Sequence, residues 1–111
     1  MRLKHRFYKG GWSEVIDREV SDRGSAARLV TCDPSAYAVF LLEQFRIAPQ
    51  SAEKSPWSLE IFAGMIDKES ESPDEVVHRE LVEEAGLVPD YLEKITSYWV
   101  SPGGSSARMY I

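Results

Sequence analysis

The chain has 111 residues, with 13 Lys and Arg against 18 Asp and Glu and a formal net charge of -5. Hydrophobic residues make up 43% and charged residues 28%, which fits one soluble domain and excludes wholesale disorder. With no concentrated basic run and no apolar run long enough to cross a bilayer, neither nucleic acid nor membrane is an expected partner.

The start, Met1-Arg2-Leu3-Lys4-His5-Arg6, has no apolar run behind it and does not read as a signal peptide. Cys32 is the only cysteine, so no internal disulfide is available; a reducing, cytoplasmic location is expected, with Cys32 as a buried small hydrophobe. Residues 5–9 and 12–20 read as two strands turning at Gly10-Gly11. After Asp22-Arg23-Gly24, residues 26–31 read as a strand, and Asp33-Pro34-Ser35 as a turn. Residues 36–43 are almost continuously apolar, the pattern of a strand covered on both faces. Residues 48–56, with two prolines, read as a loop, and the alternating residues 57–62 as another strand.

The clearest element is a helix. Ser72 is a good N-cap, Pro73 suits the first helical position, Glu75 completes a capping box, and Gly86 can take the left-handed closing conformation. Residues 91–100 read as a strand broken by Pro102-Gly103-Gly104, and 107–111 as the start of one more.

The acid is concentrated on that helix. Residues 64–87 hold eight acidic and two basic residues, and the rest of the chain is nearly balanced. Glu80, Glu83 and Glu84, spaced i, i+3 and i+4, project from roughly one helical face and repel one another. Either solvent absorbs that repulsion or a cation sits among them. An oxygen-only ligand set suits Mg²⁺ or Mn²⁺ rather than zinc. Glu71 can point into the same region, and Arg79 can pin a carboxylate. Against a plain solvated face stands the position of Glu83 and Glu84 near the helix C-terminus, where the helix dipole disfavours them.

Arg79-Glu80-Leu81-Val82-Glu83-Glu84-Ala85-Gly86-Leu87 resembles the second half of the Nudix box. Seven residues separate Glu71 from Arg79, as they separate the family's first glutamate from its arginine, and Gly64 takes the place of the opening glycine, giving a box over 64–87. WSLEIFAGM (57–65), Gln44-Phe45-Arg46, Asp22 to Ala27 and Pro102-Gly103-Gly104 are similar to segments of the ADP-ribose pyrophosphatase subfamily. The resemblance implies an α+β fold: a Nudix-type α/β/α sandwich with a mixed sheet, shortened at the N-terminus and incomplete at the C-terminus. Residues 1–24 would then be a hairpin contacting substrate or a second subunit, and 25–111 a partial hydrolase domain.

The same resemblance implies hydrolysis of a nucleoside diphosphate sugar by a divalent cation, with ADP-ribose giving AMP and ribose 5-phosphate. Glu80 and Glu84 would be the main metal ligands, with Glu83 ligating a metal or orienting its water; Glu71 and the Ala63 carbonyl would be further ligands. Arg79 would hold the glutamates by ion pairs. Arg46 would meet the diphosphate or a ribose, Arg23 would help bind substrate, and Ser101, Pro102 and Gly103 would shape the terminal-ribose side. Trp12 would stack on the adenine; read alone, it serves equally as a cover for the hairpin, Arg46 as a surface ion-pair residue, and Pro102-Gly103-Gly104 as a bare turn. A homodimer is expected, because the hairpin leaves strand edges in need of a partner. Three features depart from the family pattern. Met65–Ser70 is one residue longer than the usual spacing, Ser70 replaces a glycine, and Ala107 replaces a substrate-contacting glutamate. The catalytic base is expected beyond Ile111. A domain that binds metal and nucleotide without turnover, or one acting on GDP-mannose or another sugar nucleotide, is the alternative.

Overall fold

The computed structural model describes residues 1–51 and 55–111. At the N-terminus Arg2–Leu3 (β1) pairs antiparallel with Ile16–Asp17 (β2). The turn falls at Gly10-Gly11 as expected, both glycines having φ near +88° and +87°. The ladder is much shorter than the predicted strands 5–9 and 12–20, with only an isolated Arg6–Trp12 bridge above it. Two causes are visible. The Ser13 hydroxyl takes the His5 N–H at 3.1 Å, interrupting the regular backbone pattern, and Phe7, Tyr8, Val15 and Val20 stay exposed, so no apolar face holds a longer pairing in register.

Ser25–Leu29 (β3) enters the main sheet, and Thr31–Asp33 (β4) and Ala38–Phe40 (β5) form a separate hairpin. Its turn is built by Asp33, whose carboxylate accepts the Ser35 and Ala36 N–H groups at 2.8 and 3.2 Å. Leu42–Phe45 (β6) pairs with Trp57–Glu60 (β7), with the short helix Ile47–Ser51 (α1) following β6. The structure thus corrects three expectations. The apolar run 36–43 is two strands broken at Leu41, and Val39, Phe40 and Leu41 are exposed rather than covered, because the run leaves one partner for another at that corner. The segment 48–56 contains most of a helical turn, its residues 52–54 lying outside the described ones. Cys32 is exposed, because it faces outward on a two-stranded ribbon.

The strand expected over 57–62 ends at Glu60, and Phe62–Ile66 (β8) begins a new pairing with β3. Pro73–Ala85 (α2) runs as predicted, followed by Ser97–Trp99 (β9) and Arg108–Tyr110 (β10). Within the predicted strand 91–100 only β9 forms a ladder; the N–H groups of Ile95 and Thr96 converge on the Ile111 carbonyl instead. The main sheet has the order β8-β3-β10-β9, with β3 and β10 parallel and the other pairs antiparallel, the mixed sheet the α+β reading expected.

α2 packs on β8 and β3. Its buried residues Val76 and Val77 form a small core cluster with Ala27 from β3, against which Leu29, Ile66, Leu92 and Tyr110 pack; Leu81, Phe62 and Met109 are buried as well. The ribbons lie outside it, which is why the radius of gyration is 18.4 Å where a compact chain of this length would have about 13 Å.

Candidate active site

The helix that carries the acidic residues is fixed at both ends. The Ser72 hydroxyl accepts the Glu75 N–H at 3.3 Å, and the Glu75 carboxylate accepts the Ser72 N–H at 2.7 Å. Gly86 closes the far end at φ 67°, its N–H reaching the carbonyls of Leu81 and Val82. With Val76, Val77 and Leu81 turned to the sheet, the rotation of α2 is set. Glu80 is laid against β8, where a side chain at Gly64 would overlap the Glu80 carboxylate. The glycine that opens the motif thus leaves the room in which the Glu80 side chain lies, a matter of close approach rather than of backbone freedom.

Arg79 organises the acids. Its Nε donates to Glu71 at 3.1 Å, and its Nη1 lies 2.6 Å from Glu80 and 3.5 Å from Glu83. These contacts, Glu71 foremost, hold the guanidinium firmly protonated. Glu71 is nearly buried, and its second oxygen, Oε2, has no hydrogen-bond partner. The residue added before Glu71 does not turn it away: the loop closes through the Glu71 N–H on the Lys68 carbonyl at 3.2 Å. Closure puts Ser70 at φ 72°, in the left-handed region, at the position where the family pattern has glycine. Ser70→Gly is accordingly expected to raise stability by about 0.5–1 kcal/mol, the relief of strain less the added chain entropy, read as a higher urea midpoint.

Glu84 stands apart from Arg79. Partial desolvation, and then the neighbouring Glu80 and Glu83 charges, push its carboxyl up from the usual range, while Arg46 opposes them. Among the described residues no three His, Cys, Asp or Glu side chains converge on one point suited to a metal. Glu71, Glu80 and Glu83 are instead paired with the Arg79 guanidinium. The donor set nevertheless suits a hard divalent cation: every candidate ligand is oxygen, and Glu71 Oε2 is a buried acceptor with nothing to accept from.

Beside the helix lies a cleft of about 760 Å³ whose walls include Arg23, Arg28, Arg46, Glu60, Ile61 and Ala63. Arg46 is set by a two-point bond to Glu60, Nε to Oε1 at 2.9 Å and Nη2 to Oε2 at 2.8 Å. The pair keeps Glu60 ionised and Arg46 charged, and Nη1 is not engaged by Glu60. Ala63 lies on β8, an edge strand of the sheet, and opposes Arg28 of β3 in register. Sequence reasoning missed Arg28 and Glu60. Both were signalled by alternation: Arg28 follows the buried Ala27, and Glu60 ends the alternating run from Trp57.

The other expected residues fall into two places. Ser101, Pro102 and Gly103 form a turn closed by the Gly104 and Ser105 N–H groups on the Ser101 carbonyl, at 3.1 and 2.8 Å. This turn joins the Arg23 loop through a parallel Ser21–Ser105 bridge but is not part of the cleft wall. Trp12 is on the hairpin, exposed, with the Arg6 guanidinium 5.3 Å from its ring centre, and is likewise absent from the cleft wall. A second, smaller cavity of about 290 Å³, between the start of α2 and Tyr110, contains none of the predicted site residues.

Residues 22–110 match the family model described as the NUDIX domain. The chain belongs to the Nudix family. It is 44% identical over 110 residues to an ADP-ribose pyrophosphatase of Escherichia coli (strain K12), covering 99% of this chain and 52% of that protein. A Haemophilus influenzae protein of the same name is 40% identical over 115 residues, covering 100% of the chain and 52% of the relative. A GDP-mannose pyrophosphatase of Yersinia pestis (strain Pestoides F) is 35% identical over 94 residues, 84% of the chain and 46% of the relative. The chain thus spans about half the length of the curated relatives it matches. Its fold is also that of a crystal structure described as an ADP compounds hydrolase, with a TM-score of 0.70 at 22% identity, over 98% of this chain and 54% of that one. Nudix hydrolases in general use divalent metals. No described helix of this Nudix chain is long and apolar enough to cross a membrane.

Proposed function

We propose that this chain is the metal-holding part of a hydrolase that splits the diphosphate of a nucleoside diphosphate sugar, with ADP-ribose as substrate and AMP and ribose 5-phosphate as products. The observation that carries the reading is the cleft with three arginines in its wall, Arg23, Arg28 and Arg46, set beside the glutamates of α2. A diphosphate brings negative charge that such a wall attracts, and its oxygens match the planar donors of arginine. Glu71, Glu80, Glu83 and Glu84, with the Ala63 carbonyl, would hold Mg²⁺, or Mn²⁺ in its place. The cation would neutralise diphosphate charge as water attacks phosphorus and the phosphomonoester leaves. The residues of the chain do the positioning: Glu60 orients Arg46 toward the phosphates, and Arg79 keeps the acids in reach. A cytoplasmic location fits a nucleotide-sugar substrate and a lone cysteine.

The names of the Escherichia coli and Haemophilus influenzae relatives favour ADP-ribose, and that of the Yersinia pestis relative supports GDP-mannose as the second choice. The test is product analysis on the folded chain with each sugar nucleotide, with and without Mg²⁺. AMP and ribose 5-phosphate appearing from ADP-ribose only with the cation is the expected result. Binding of metal and nucleotide with no products would replace the enzyme by a binding domain, and neither binding nor products would overturn the reading.

A further inference from the structure

Arg23 is in the cleft wall, yet among the described residues no hydrogen bond or ion pair engages its guanidinium, so its backbone decides where it sits. That backbone is held by a segment more than eighty residues away. The Ser21 N–H donates to the Gly104 carbonyl at 2.8 Å, and the Ser106 N–H donates to the Ser21 carbonyl at 3.1 Å. The Ser106 hydroxyl donates to Asp22 Oδ1 at 2.6 Å, and the same oxygen accepts the Gly24 N–H at 3.3 Å, closing a turn around Arg23. One carboxylate oxygen therefore joins both sides of the Arg23 turn to the far loop.

We propose that Ser106 is a positioning residue: its hydroxyl, donating to Asp22, locks the 101–106 turn to the 21–24 loop and so holds Arg23 at the cleft, where it meets a diphosphate. The identity of the ligand rests on the function proposed above; the lock itself does not. Ser106 is the better side of the pair to change. Removing Asp22 would also remove a negative charge near an anion site, whereas a change at Ser106 alters no charge.

Calorimetric titration of the full chain with inorganic pyrophosphate tests the lock, and ADP-ribose hydrolysis is followed in parallel. Ser106→Ala is expected to weaken pyrophosphate binding roughly 3- to 10-fold, the range of one lost hydrogen bond. Ser106→Thr restores binding, and Ser106→Val, which has the shape of threonine without the hydroxyl, does not. In an Arg23→Ala background the Ser106→Ala loss disappears, because both changes remove the same contact. Parent-like binding by Ser106→Ala or Ser106→Val, or an undiminished loss in the Arg23→Ala background, overturns the proposal. Pyrophosphate binding that follows this pattern without ADP-ribose hydrolysis leaves the lock standing and removes the enzymatic reading. A parent chain that binds neither compound overturns both.

Discussion

Changing Glu80 and Glu84 together to glutamine is expected to weaken Mg²⁺ binding by on the order of 100-fold or more. Glutamine keeps the length and one acceptor oxygen of each side chain but none of the charge, and a hard dication depends on that charge. Two features make the variant a clean probe. A glutamine in place of Glu80 can still accept from Arg79, so the 2.6 Å contact that fixes the start of the acidic face can persist. Removing two of three neighbouring like charges also relieves repulsion, so folded stability should not fall. Calorimetric titration with Mg²⁺, with circular dichroism as the control for folding, reads the outcome. The exposed pair Asp90→Asn and Glu93→Gln removes the same total charge from the loop after the helix and should leave binding near the parent value. Equal affinity in the parent and in the Glu80/Glu84 variant would mean that the acidic face of α2 is solvated surface.

Leu81→Ala is expected to cost about 2–5 kcal/mol. Leu81 is 1% exposed, one of three large side chains that are fully buried, and it follows Glu80 directly on α2. The core it belongs to is small, and a domain of this size has only about 5–15 kcal/mol of stability in all. A lower urea midpoint with an unchanged slope would report the loss. Val82→Ala, one residue on and 41% exposed, should change the midpoint far less. Similar effects from the two changes would mean that α2 does not hold its acidic face against the sheet in the way described.

α2 was legible in the sequence because its signals are local. Ser72, Pro73 and Glu75 set one end, Gly86 the other, and the apolar residues between them share a face. The strands were legible in kind but not in partner. The run from Ala36 to Glu43 reads as one strand because nothing within it marks Leu41 as the corner where pairing passes from β4 to β7, and the same holds for Ile61 between β7 and β8. Exposure at Val39 and Phe40 was hidden for a related reason: a continuous apolar run looks the same whether or not a layer covers it. At the site, the box residues were readable because chemistry fixes their spacing. Arg28 and Glu60 were not, because their roles depend on which strand lies opposite. The bond between Ser106 and Asp22 joins residues too far apart in sequence for any local pattern to foretell.

The guanidinium of Arg79 bears on how a cation would arrive at the proposed site. Glutamate side chains turning freely in water would each give up roughly 1.5–2 kcal/mol of rotamer entropy on being gathered. Around Arg79 part of that ordering is done once the chain has folded, with Glu71 and Glu80 held on its guanidinium and Glu83 within 3.5 Å. Glu71, Glu80 and Glu83 would hold a divalent cation only by giving up part of their pairing with that one diffuse positive charge. A lysine at this position, with its single compact charge, could not bridge the loop acid and the helical ones at once, and would leave the ligands to be collected anew.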